Sequence, residues 1–105
     1  MSGVKLMVLY PQPKDLEQFE KDYQQHIALF HQQTGIPSDV RPYNVTKFFP
    51  TPLGASPFYQ MFSMPFPSLE ALQQTMSSPA MQMIAADAVR ISSGGAPTVL
   101  MGSES

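Results

Sequence analysis

Residues 4–35, VKLMVLYPQPKDLEQFEKDYQQHIALFHQQTG, fix the first β-α unit and with it the reading of the fold. Val4–Tyr10 is a nearly continuous apolar run stopped by Pro11 and Pro13, the pattern of a strand covered on both faces. Asp15 then reads as an N-cap, Gln18 as the reciprocal member of a capping box, and Glu17 as the acidic residue of a first helical turn. Gly35 is a C′ residue, and Pro37 discourages continuation. At roughly 100° per residue, Leu16, Phe19, Tyr23, Ile27 and Phe30 share one helical face. His26 projects into the same sector, where Leu or Ala is the ordinary choice. Tyr23 and His26 are thus two hydrogen-bonding groups aimed at whatever this helix packs against. His31, five residues past His26, is expected to face solvent.

Downstream, residues 40–49 (VRPYNVTKFF) read as a second strand whose start Pro42 makes irregular. PTPLGASP is a hairpin connection to a third strand, FYQMFSMPF, at 58–66. Ser68 caps a short helix over LEALQQTMS, and Ser78-Pro79 starts another, with Met83, Ile84 and Ala88 on its buried side and Asp87 near that edge. A glycine-serine turn leads to a last strand, PTVLMG, at 97–102. The order β-α-β-β-α-α-β predicts an α+β ferredoxin-like plait: a four-stranded antiparallel sheet with the helices on one face, in a single domain spanning 1–105. The other sheet face then needs cover, and a second copy packed back to back supplies it, giving a homodimeric α+β barrel.

Composition agrees. Only 13% of the residues are charged, against about 25% in an average domain, while 43% are hydrophobic. Six basic residues, Lys5, Lys14, Lys21, Arg41, Lys47 and Arg90, are scattered, so no basic stripe exists for nucleic acid. The chain has no cysteine and hence no disulfide, thiolate nucleophile or zinc-thiolate site. No run approaches the roughly 18 apolar residues of a membrane span, and the N-terminal stretch lacks signal-peptide features. A cytoplasmic protein without membrane attachment is expected. Histidines at i, i+5 diverge on a helix, so no metal site is expected, nor is a cofactor.

Four segments, VLYPQP (8–13), FEKDYQQHIAL (19–29), SLEALQQTMSSPAMQMIAADAV (68–89) and PTVLMG (97–102), together resemble the EthD family. Its members are small dimeric α+β-barrel proteins named for a cluster that degrades alkyl ethers. The resemblance implies that Tyr23, His26 and Asp87 occupy the family's recurrent polar positions. Chemically, an Asp87 that reaches His26 orients the ring and stabilises its imidazolium, and Tyr23 is then expected to donate to a substrate oxygen. Where family members often carry an aromatic after that aspartate, this chain has Ala88-Val89-Arg90-Ile91. The expected ligand is a small hydrophobic or aromatic compound from a catabolic or secondary-metabolic pathway. Phe30, Phe62, Met61 and Met83 are expected to wall its cavity, with His26 as acid/base in cofactor-free oxygenation or isomerase-type proton transfer. Two other readings stay open: a non-catalytic binding or accessory protein with a structural histidine, and a dimerisation module with a filled core.

Overall fold

A computed structural model describes residues 3–103. The elements run β1 (Val4–Pro11), α1 (Leu16–Thr34), β2 (Asn44–Lys47), β3 (Phe58–Phe66), α2 (Leu69–Met76), α3 (Pro79–Ile91) and β4 (Thr98–Ser103). The strands form one antiparallel sheet in the order β2-β3-β1-β4, the ferredoxin-like plait expected from the sequence. The second strand, expected over 40–49, spans only Asn44–Lys47: irregular chain extends past Pro42 to Tyr43, and Phe48 and Phe49 lie beyond its end.

Each helix begins where a side chain can satisfy a free backbone N–H. Asp15 accepts from Gln18 N, Ser68 from Ala71 N and Ser78 from Met81 N, and Pro79 fills the first position of α3. The capping box at Asp15 is not reciprocal, since the Gln18 side chain donates forward to Asp22 Oδ1 at 2.9 Å. Gly35, at φ 76°, ends α1 in the left-handed conformation that favours glycine.

Strand alternation decides which side chains meet the helices. In β1, Leu6 and Tyr10 are each 1% exposed and point to the helix side. They join Phe30, Phe62, Leu72 and Ile84 in one cluster, and Phe19, Tyr23, Ala88 and Ile91 in another. Leu16 is not part of this stripe; it is half exposed. The register pairs Met7 with Ser63 and with Leu100, and Leu9 with Met61, so these residues share the opposite face of the sheet. At the β2/β3 edge, Glu20 accepts from Lys47 Nζ at 2.9 Å and from the Tyr59 hydroxyl, which ties α1 to both strands.

His31 corrects a sequence expectation. It is buried, not solvent-facing, because residues 36–43 fold back over the end of α1. Nδ1 donates to the Ile36 carbonyl at 3.0 Å, so in the neutral ring Nε2 accepts from the Tyr43 hydroxyl at 2.8 Å.

Gly94 is required by close approach. A Cβ there would lie 1.9 Å from the Gln12 carbonyl oxygen, backbone against backbone. We predict that Gly94→Ala lowers unfolding stability by about 1–3 kcal/mol in chemical denaturation. Tyr43→Phe, which strips the buried His31 Nε2 of its partner, should cost a similar ~1–3 kcal/mol. Denaturation midpoints equal to wild type would refute either assignment.

Candidate functional site

A cavity of about 140 Å³ lies between the sheet and the helices. Its floor is Leu6, Val8 and Tyr10 of β1 with Phe62 of β3. Its walls are His26, Ile27 and Phe30 of α1, Met76 of α2, and Met81, Ile84, Ala85, Ala88 and Val89 of α3. Pro97 and Val99 complete it beside β4. Val89 and Val99 are each more than half exposed, which puts the mouth between α3 and β4. Tyr10 and His26 are the polar members of the lining, and no Lys, Arg, Asp or Glu belongs to it.

His26 is 5% exposed, and its Nδ1 lies 2.8 Å from Asp87 Oδ2. Asp87 Oδ1 in turn accepts from Arg90 Nε at 2.8 Å. Burial drives the His26 pKa below its ordinary value, although the hydrogen bond to Asp87 and the carboxylate charge oppose the shift. Burial would raise the Asp87 pKa, but hydrogen bonds from Arg90 and His26 outweigh it and hold the carboxyl below its usual value. The resting pair is therefore neutral imidazole beside ionised carboxylate. The carboxylate fixes the proton on Nδ1 and leaves the Nε2 lone pair on the other side of the ring. Among the described residues nothing hydrogen-bonds Nε2. Such an arrangement can accept a proton from a bound molecule and return it.

The structure thus brings His26 and Asp87 together, and Phe30 and Phe62 line the cavity beside them. Tyr23 lies beside His26, ring centroids 5.7 Å apart and planes tilted by 35°, but it is not in the lining. Its hydroxyl is buried without a hydrogen-bond partner among the described residues, as are both polar atoms of the Gln60 amide. Gln60 lies close enough to affect the phenol's acidity, yet no bond of normal geometry joins them. Met61 and Met83 do not line the cavity. Met61 belongs to a shallow depression on the opposite sheet face with Lys5, Met7 and Ser63, and Met83 is half exposed on α3. The residue that sequence reasoning missed is Tyr10. Its signal was the alternation of Leu6, Val8 and Tyr10, which sets its hydroxyl-bearing ring on the helix side of β1. Gln60 gave a similar signal by sharing a face with Phe62.

Among the described residues no group of three or more His, Cys, Asp or Glu side chains could hold a metal ion, and no helix is long and apolar enough to cross a membrane.

No curated protein matches the chain in sequence. Among solved structures it is similar to an EthD family protein from Bacillus halodurans C-125, at 32% identity and a TM-score of 0.79, over 98% of this chain and 99% of that one. A hydroxynitrile lyase from Passiflora edulis is 16% identical, with a TM-score of 0.71 over 98% and 94% of the two chains. A dimeric ferredoxin-like protein from Jannaschia sp. CCS1 is 12% identical, with a TM-score of 0.67 over 97% and 98%. At those identities the last two share the fold. The EthD domain model matches residues 11–95, most of the length and all the residues of the His26–Asp87 pair, and the chain belongs to the EthD family.

Proposed function

We propose that the cavity binds a small, uncharged, largely apolar molecule and that His26, held by Asp87, moves a proton to or from it. The observation that carries this reading is the 2.8 Å contact of Nδ1 with the Asp87 carboxylate at the wall of the cavity. The apolar lining favours an uncharged guest, because a charged one would leave water without a counter-charge. The volume suits a single ring: an apolar cavity of about 150 Å³ holds benzene. In the chemical step, Nε2 takes the substrate proton, the imidazolium is stabilised by Asp87, and the substrate keeps the electron pair until the proton returns. The fold also carries a hydroxynitrile lyase, so catalysis is open to it.

The sheet face that carries Met7, Leu9, Met61 and Leu100, with Lys5 and Ser63 beside them, we read as the contact with a second copy. That arrangement buries a surface which the chain's low charge leaves poorly hydrated, and a related fold is described as dimeric.

In an imidazole NMR titration, His26 should titrate below its ordinary 6.5. Asp87→Asn should move the midpoint lower still, since the carboxylate is what holds it up. A wild-type midpoint above 6.5, or an upward shift in the variant, overturns the base assignment. The neutral ring is the working form, so turnover should rise as pH climbs through the depressed pKa and be level at neutrality. His26→Ala should reduce turnover about 10²–10⁴-fold. Unchanged turnover in a folded variant refutes it. Light scattering after size exclusion should give twice the 11.6 kDa chain mass, and Leu100→Asp should shift it toward the monomer. A wild-type monomer at micromolar concentration defeats the dimer reading.

A further inference from the structure

We infer that the cavity selects a hydroxyl group: Tyr10 donates to the ligand oxygen while His26 Nε2 accepts the ligand's own proton, so the ligand is a small, uncharged phenol, alcohol or enol. The inference rests on reading the cavity as a binding site and names what that site recognises.

Tyr10 and His26 are the two polar side chains of the lining, and they come from opposite layers, β1 of the sheet and α1 above it. Their hydrogen-bonding capacities are complementary. Asp87 holds the imidazole proton on Nδ1, so neutral His26 offers the cavity a lone pair. Tyr10 is 1% exposed, its ring wedged edge-on between Phe19 at 5.4 Å and Tyr23 at 5.7 Å, and no described residue hydrogen-bonds its hydroxyl. Burial, with the Asp87 charge added, keeps that phenol's pKa well above the usual 10.0, so it stays protonated and available as a donor. Both residues line the same cavity, and one donor with one acceptor there matches the group that has both, a hydroxyl. An ether or a ketone accepts from Tyr10 but has no proton for Nε2. A carboxylate would give up its hydration with no cation in the lining to take the place of water. Tyr23, although it sits beside His26, is outside the lining and plays no part in the selection.

The test uses phenol and its methyl isostere toluene as probes, with binding read from saturable amide shifts of cavity residues such as Ile84 and Phe62. In Tyr10→Phe, which keeps the ring and its packing, the phenol Kd should rise about tenfold while the toluene Kd stays within about twofold of wild type. Tyr23→Phe should move neither. Phenol unaffected by Tyr10→Phe, both probes weakened alike, or phenol weakened by Tyr23→Phe instead, each overturns the role of Tyr10 and leaves the cavity a binding site. Wild-type protein that shows no saturable shift with either probe overturns the cavity reading itself, together with the inference built on it.

Discussion

The imidazole of His26 is out of water, and the arrangement of the helical layer follows from how that is made tolerable. A buried hydrogen-bonding group left without a partner costs about 1–3 kcal/mol. The partner is Asp87, 61 positions along the chain, so α3 must cross α1 at one place. A carboxylate is a poor partner unless its own charge is stabilised, and Arg90, one turn further along α3 and well exposed, does this at 2.8 Å. Charge therefore stays at the rim, where water reaches it, and its influence passes inward through Asp87 to a neutral ring. The start of α3 sets the phase of this arrangement. Ser78 and Pro79 begin the helix so that Met81, Ile84, Ala88 and Ile91 turn inward, which leaves Asp87 at the edge of the buried stripe beside His26.

The same economy of charge runs through the sheet. β1 sends Leu6 and Tyr10 toward the helices and Met7 and Leu9 the other way, and β3 repeats the division with Phe62 and Met61. A strand apolar on both faces shows no alternation of hydropathy, and that reads in the sequence as two covered faces. The helices cover one of them.

What could be read from the sequence was local. Caps at Asp15, Ser68 and Ser78, the glycine end at Gly35 and the proline stop after Tyr10 act within a few residues, and the elements they bound follow closely. His26 stood out for the same reason, as a polar residue on an apolar stripe. What could not be read was non-local. A helical wheel places His31 in solvent, because it contains no residues 36–43 to fold over it. It likewise cannot choose between two tyrosines near one histidine: Tyr23 shares the helix, but the cavity lies against β1 and takes Tyr10. Met61 and Met83 fail as cavity walls because methionine is at home in a core, at an interface or half exposed, and composition alone does not separate these.

The cavity itself bears on function through its cost. An apolar cavity forfeits side-chain contacts, and this one, about 140 Å³ between the sheet and the helices, costs folding stability in proportion to the part closed off from solvent. Two of the residues around it, Met76 and Met81, are among the most adaptable of apolar side chains, and small shifts of either would occupy part of the space. A core selected only for stability closes such a gap. In this one the gap lies against His26, whose Nε2 has no hydrogen-bond partner among the described residues, and its mouth is rimmed by exposed Val89 and Val99. A ligand that fills the space restores the lost contacts and stabilises the folded state in proportion to its occupancy. On the proposed reading of the cavity as a binding site, those restored contacts are what a ligand's affinity draws on.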